Sequence, residues 1–359
     1  MIQPQKTKQK TDIRNLGRSE LVRFFEDHGM RSFRADQTLR WLYFRRAESF
    51  DQMTDLAKDA RRLLEKHFSI ARPEVKKILT SRDGTRKFLL ALQDGNTVES
   101  VLIPEKDHYT LCISTQVGCA MGCAFCMTGS TGLTRNLTRA EIVGQVLAAM
   151  DFSGAGNDMR LSNIVLMGMG EPLANYRNVA GAICALTDAD WGLKFSSRRV
   201  TLSTAGLADR FSDLARDAGI RLAVSLNAAD NATRNRLMPV NRTFPLERLI
   251  DACTRYPLPS RDRITFEYIL LKGVNDSQQD ALKLARLLKP VRAKINLIPF
   301  NPHPGSEFQR PDSDGIENFR SLLIEKNYTA IVRWSKGTDI SAACGQLRAE
   351  PSGLNSKTA

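Results

Sequence analysis

Between Asn15 and Phe68 apolar side chains recur near the helical period: Leu21, Phe24 and Phe25, then Leu39, Leu42 and Phe44, then Leu56, Leu63 and Leu64. That spacing lays an apolar stripe along short helices, so a small helical module is expected there. From Glu74 to Thr115 the pattern changes to that of strands. Asp83-Gly84 and Asp94-Gly95 interrupt runs such as Lys87–Leu92 and Thr97–Ile103, and each is a dipeptide that favours a tight hairpin turn, which predicts a short β meander.

Beyond the meander, strand-like apolar runs alternate with helical stretches. The runs are Leu111–Thr115, Asn163–Met167, Arg199–Ser203, Arg221–Leu226, Ile264–Leu270 and Lys294–Ile298, with helices such as Arg139–Met150 and Asp280–Leu288 between them. Six strand-then-helix repeats predict an α/β fold around a parallel sheet. The pattern alone does not separate an open sheet from a partial barrel. In either, functional residues belong at the C-terminal ends of the strands. A chain of 359 residues exceeds what one core comfortably holds, and the expected division is 1–95 (helices plus meander), 96–349 (the α/β domain) and 350–359 (a disordered polar tail).

Composition adds two constraints. With 42% hydrophobic and 25% charged residues, the chain is expected to fold as a soluble protein, and it has no apolar run long enough to span a bilayer. Met1–Arg14 is polar and basic, without the apolar stretch of a secretory signal, so a cytoplasmic location is expected. The formal net charge of +13 suits a polyanionic partner such as RNA or DNA, although surface charge alone accounts for it equally well. The helical module shares this excess in Arg31, Arg34, Arg40, Arg45, Arg46, Arg61, Arg62 and Lys66.

Seven cysteines are present, and three crowd into Cys119-Ala-Met-Gly-Cys123-Ala-Phe-Cys126 just after the first parallel strand. An odd count with such crowding fits a metal or redox site in a reducing compartment rather than a disulfide framework. Three thiolates on one loop can hold three irons of a [4Fe-4S] cluster and leave the fourth iron for a ligand, which in radical-SAM enzymes is S-adenosylmethionine. Structural zinc would need a fourth protein ligand, and no Cys or His pair lies nearby at zinc-like spacing.

Other strand ends carry candidate cofactor contacts. In Gly168-Met169-Gly170-Glu171-Pro172 the glycines allow close backbone approach to a ligand, and Glu171 can accept from an ammonium group. Taken alone such a turn is more often structural; one strand after the cluster loop, it resembles the segment that binds the amino group of S-adenosylmethionine, with Gly170 and Glu171 as contacts. Ser203, Ser225-Leu226-Asn227 and Asn301 end later strands and can bond a ribose or a carboxylate, with turn or cap roles equally open. Among isolated cysteines, Cys184 and Cys253 read as small buried hydrophobes. Cys112 leads into the cluster loop, and Cys344 lies in Ile340–Leu347.

Longer motifs carry a family resemblance. Val98–Pro104, Cys112–Cys119, Gly132–Leu137, Met167–Pro172, Asn296–Asn301 and Ala342–Gln346 together resemble the bacterial radical-SAM RNA methyltransferases that act on carbon 2 of adenine in 23S rRNA and tRNA. The resemblance implies a partial six-stranded α/β barrel with an N-terminal helical RNA-binding domain. It implies two S-adenosylmethionine molecules per turnover, Cys344 as methyl carrier, and a transient protein–RNA adduct. Cys112 would resolve that adduct, leaving a Cys112–Cys344 disulfide, and Glu99 would be the base. It also implies a reductant such as flavodoxin or ferredoxin, and a monomer. Where many relatives have Ser-Leu-His this chain has Ser225-Leu226-Asn227, and Trp334 stands where a basic residue is common. The related carbon-8 adenine methyltransferases share nearly all these motifs. A methylthiotransferase would need a second set of three cluster cysteines, and only one set is present. A noncatalytic iron–sulfur or zinc RNA-binding protein would differ from all of these in leaving S-adenosylmethionine uncleaved.

Overall fold

The computed structural model describes residues 10–154 and 159–348; the tail expected to be disordered lies outside them. Three helices build the N-terminal module: α1 (Arg18–Asp27), α2 (Phe33–Tyr43) and α3 (Lys58–His67). They bury the periodic residues Leu21 and Phe25, Leu39 and Leu42, and Leu64. Glu20 caps α1 by accepting from the Gly17 amide at 2.6 Å. Phe44 departs from the expected stripe: it lies just past the end of α2, 63% exposed, with the Lys194 ammonium 4.8 Å from its ring centre. Strands β1 (Thr11–Asp12) and β2 (Phe68–Ser69) pair in parallel and close the module.

The meander follows as β3 (Glu74–Thr80), β4 (Arg86–Ala91) and β5 (Thr97–Pro104), antiparallel and joined at the two predicted turns. Gly84 and Gly95 sit there at φ +81° and +85°, the left-handed region that glycine enters without steric cost. Next in the chain come β6 (His108–Cys112), β7 (Gln116–Gly118), α4 (Met127–Ser130), β8 (Leu133–Asn136), α5 (Arg139–Gly154), β9 (Arg160–Leu166) and α6 (Tyr176–Thr187). They are followed by β10 (Val200–Thr204), α7 (Phe211–Asp217), β11 (Arg221–Ser225), α8 (Asn231–Leu237), α9 (Leu246–Arg255) and β12 (Ile264–Leu270). The chain continues with α10 (Gln278–Leu287), β13 (Ala293–Pro299), α11 (Ser313–Glu325) and β14 (Ala330–Val332).

One ten-stranded sheet runs β3-β4-β5-β6-β9-β10-β11-β12-β13-β14, and from β6 onward every neighbouring pair is parallel. Parallel strands taken in chain order keep each crossover on the same side, so the helices cover one face and the sheet curls into a partial barrel. All six predicted strands are present, and β14, three residues long, adds a seventh that is too short to announce itself by periodicity. The inner face is polar and half-buried, as at Thr201, Ser203, Ser225, Lys294 and Asn296, whereas Leu202, Val224, Ile295 and Leu297 face the helices and are buried.

The helical module and the barrel share one continuous core. Asn15 accepts from the Ala140 amide at the start of α5 at 2.9 Å, and Asp151 near its end pairs with Arg46 at 2.8 Å. The meander belongs to the barrel sheet, so a division at residue 95 passes through the turn between two hydrogen-bonded strands. Among the described residues no helix is long and apolar enough to cross a membrane.

Candidate active site

The cysteine loop leaves the barrel mouth above β6. Its base is the β7–β8 ribbon, where a Cβ on Gly118 would fall 1.9 Å from the Gly132 carbonyl oxygen. Only glycine permits that approach, and it lets the Cys119 amide donate to the same carbonyl at 2.8 Å. Cys123 and Cys126 pack beside buried Phe125, Leu237 and Met238. Burial pushes the Cys119 thiol up to about 11 and raises Cys123 further, with Cys126 and Cys119 opposing its ionisation. The thiols therefore lie close enough to feel one another.

This donor set fits an iron–sulfur cluster. Thiols whose deprotonation is held back by burial and by each other become stable thiolates when cationic metal replaces their protons. Among the described residues no three His, Cys, Asp or Glu side chains gather around one point as a single ion requires. A cubane places each thiolate on a different iron, which does not demand that convergence.

The glycines of 168–172 serve strand packing. A Cβ on Gly168 would lie 2.8 Å from the Ile113 carbonyl, and one on Gly170, at φ +100°, would lie 2.5 Å from Gln116 Cβ. Those gaps let the end of β9 close onto the loop base. Glu171 is 3% exposed, and its carboxylate accepts from the amides of Leu173 at 2.9 Å and Ala205 at 2.6 Å. Burial nevertheless raises it to about 7.

Farther round the mouth, the hydroxyls of Ser203 and Ser225 are 3.5 Å apart on adjacent strands. Leu226 is fully buried, and its amide donates to the Glu267 carbonyl. Asn227 adopts φ +56° and accepts from the Ile269 amide at 2.8 Å, while its Nδ2 lies 3.2 Å from Met238 Sδ. Its side chain therefore braces β12. Asn301 joins two segments: its Nδ2 donates to Ser335 Oγ at 2.8 Å and to the Cys344 carbonyl at 3.4 Å.

Cys112 ends β6, and the register pairs it with Val101 of β5, so Glu99, Val101 and Cys112 share the inner face. Cys112 is 8% exposed, its thiol pushed far up by burial and next by the neighbouring Cys344. Cys344 is exposed as a residue, but its sulfur is packed closely enough that burial, and then Glu267 and Cys126, push its thiol up to about 11. Both are free thiols. Glu99 is buried; it pairs with Lys87 Nζ at 2.8 Å and accepts from the Arg348 amide at 2.9 Å. The fold thus gathers Cys126, Cys344, Cys112 and Glu99 at one end of the barrel.

Comparison with known proteins settles the family. Residues 113–285 match the radical SAM superfamily, and residues 11–70 match the ribosomal RNA large subunit methyltransferase N-terminal domain. The dual-specificity RNA methyltransferase RlmN of Desulfosudis oleivorans is 56% identical over 339 residues, 94% of this chain and 91% of its own. That of Geobacter sulfurreducens is 53% identical, covering 94% of this chain and 92% of its own. The chain belongs to the RlmN family. It is a radical-SAM RNA methyltransferase. A solved radical SAM methyltransferase from Sphaerobacter thermophilus superposes with a TM-score of 0.86 at 42% identity, covering 94% of this chain and 99% of that one.

Three residues of this RlmN-family site escaped sequence reasoning. Lys87, on the meander, also donates to the Ser341 carbonyl at 3.2 Å, and nothing in its local pattern marks it. Arg234 is fully buried and spans four acceptors: the carbonyls of Leu226, Ser225 and Ala205, and Asn241 Oδ1. It locks the ends of β10 and β11 together, and burial lowers its pKa to about 10. Glu267 did leave a signal, as the lone acid in the apolar run Ile264–Leu270.

Glu267 accepts from Asn296 Nδ2 at 2.9 Å, and burial raises its carboxyl from 4.5 to about 7. Such a group binds its proton more tightly folded than unfolded, so its contribution is complete below about 4.5 and is lost as pH rises through about 7. Glu267→Gln keeps the Asn296 acceptor and cannot ionise. Its melting temperature should therefore fall less between those pH values than the parent's, and parallel pH curves would show that Glu267 titrates normally.

Proposed function

We propose that this enzyme methylates carbon 2 of an adenosine in 23S rRNA and in tRNA, with Cys344 carrying the methyl group, Cys112 resolving the protein–RNA adduct and Glu99 accepting the ring proton. The observation that carries this reading is the placement of Cys344 within electrostatic reach of both Cys126, on the cluster loop, and Cys112. The relatives' name, dual-specificity RNA methyltransferase, supports the two substrates.

Carbon 2 lies between two ring nitrogens and is not nucleophilic, so it needs a radical route. Cys119, Cys123 and Cys126 would hold the [4Fe-4S] cluster, with Gly170, Glu171, Ser203, Ser225, Leu226, Asn227 and Asn301 bounding the S-adenosylmethionine site. Two S-adenosylmethionine molecules per turnover supply the methyl group and, with an electron from the cluster, the hydrogen-abstracting radical.

The chain's residues do the rest. Cys344 bears the methyl group and, through it, the bond to RNA. Asn301 and Gln346 fix that loop, Gln346 by donating to the Pro302 carbonyl at 3.0 Å. Cys112 stands at the end of β6, where burial raises its thiol, so it must give up its proton before its thiolate can attack the Cys344 sulfur and form the disulfide that releases the RNA. Glu99, oriented by Lys87 and the Arg348 amide, faces the same chamber. The basic helical module supplies phosphate contacts. A flavodoxin- or ferredoxin-type reductant, a monomeric state and a cytoplasmic location accompany this reading.

Given reductant, S-adenosylmethionine and a 23S rRNA fragment, the anaerobic protein should release 5′-deoxyadenosine and yield 2-methyladenosine by mass spectrometry. A product carrying the methyl group on carbon 8 would replace the carbon-2 assignment. Failure to cleave S-adenosylmethionine would overturn the radical route altogether.

A further inference from the structure

The segment from Arg333 to Arg348 leaves the free edge strand β14, crosses the barrel mouth and ends against β5. It contains the cations Arg333, Lys336 and Arg348, and Asp339 is its only acid. That carboxylate is already occupied by the Ser81 hydroxyl at 2.6 Å and the Arg82 amide at 3.2 Å. Arg333 and Arg348 are exposed, whereas Lys336 is held by the Pro104 carbonyl and by Glu105 at 3.5 Å, so two cations of the segment stand open to a polyanion.

Within it stands Trp334, 58% exposed. The indole borders a groove of about 530 Å³ between α11 and β14, where Ile331 is also 39% exposed. Trp334 and Ile331 together leave apolar surface open along one groove, the kind of contiguous patch that marks a binding surface. The groove's acids, Asp314 and Glu317, argue against a phosphate inside it, and Glu317 is paired with Arg320. A flat, uncharged base suits such a place, with its phosphates on the cations outside. Trp334 is also tied to the reaction centre: its neighbour Ser335 accepts from Asn301, which donates to the Cys344 carbonyl. Cys344 lies on this same segment, so an adenine that reaches it brings the nucleotides beside it toward Trp334.

We infer that Trp334 is a stacking platform for an unpaired nucleotide flanking the target adenine of the RNA substrate, a contact that rests on the proposed function. Stacking on an aromatic face tolerates any base, and alanine substitution at such a platform weakens binding by about tenfold or more. The residue binds RNA and takes no part in the bond-making steps.

The test compares the full-length holoenzyme with Trp334→Ala and Trp334→Phe, using an RNA hairpin that holds the target adenosine and its flanks. Trp334→Ala should raise KM for RNA about tenfold, keep kcat within about twofold and leave RNA-independent cleavage of S-adenosylmethionine unchanged; Trp334→Phe should recover most of the loss. RNA should quench the parent's tryptophan fluorescence, with most of that quenching absent in Trp334→Phe, because Trp191 is 5% exposed and Trp41 is partly buried. Unchanged KM in Trp334→Ala, or a phenylalanine variant as weak as the alanine one, overturns the inference. So does loss of a bound protein from the variant while its RNA parameters stay put. RNA-dependent quenching at Trp334 without methylation would instead sink the proposed function and leave the contact standing.

Discussion

Cys112→Ala should leave the protein covalently joined to RNA. Cys344 can still be methylated and still add through its methyl carbon to adenine, because its loop is held by Asn301, Gln346 and Lys87 through bonds that do not involve Cys112. Cleavage of the carbon–sulfur link then needs a thiolate at the end of β6, and none remains. The trapped bond is a thioether, so it should survive denaturant and thiol reductants, unlike a disulfide. After nuclease digestion, mass spectrometry should find an adenosine attached through a methylene to Cys344. The removed sulfur leaves only a small cavity at a strand end, costing about 1 kcal/mol, so the variant should fold; Cys112→Ser gives a second, near-isosteric check. Normal turnover with no trapped RNA would make Cys112 a packing residue and end the proposed resolution step. In Cys344→Ala neither methylated protein nor adduct should form.

Removal of any one cluster thiol should have an equally complete effect by a different route. The anaerobically prepared parent should be brown and hold about four irons and four sulfides per chain. Cys119→Ala, Cys123→Ala and Cys126→Ala should each fall to near zero in iron and lose all cleavage of S-adenosylmethionine. Cys184→Ala and Cys253→Ala should keep their iron, since neither belongs to the loop. The distinction tests the donor set rather than cysteine content. Stoichiometric zinc without iron in the parent would contradict the cluster assignment.

Removing residues 1–95 would test more than RNA binding. The cut takes away β3 and β4, and with them Asp83, which accepts from the Gly337 amide at 2.8 Å, Ser81, which holds Asp339, and Lys87, which holds Ser341. Those contacts anchor the loop that carries Cys344. The meander supports the loop that carries Cys344, whatever the helices ahead of it bind.

What the sequence determined by itself was local. The two Asp-Gly turns, the six strand runs, the apolar stripes of the N-terminal helices and the three-thiol loop all depend on residues a few positions apart, where periodicity and spacing act directly on backbone geometry. The family motifs likewise pointed to Cys112, Cys344 and Glu99. Only the tertiary structure decided how these meet. Glu99 and Arg348 are 249 residues apart, and Lys87 and Ser341 are 254 apart, so their contacts follow from how the sheet curls and not from any local pattern. The same holds for Arg234, whose charge is tolerated because the ends of β10 and β11 converge their carbonyls on it, and for Asn227, whose amide turns into the sheet. Gly168 and Gly170 read as possible ligand turns from sequence because both uses need a missing Cβ. The close approach of Ile113 and Gln116, visible only once β9 is set beside β6, shows that strand packing by itself already requires the missing Cβ.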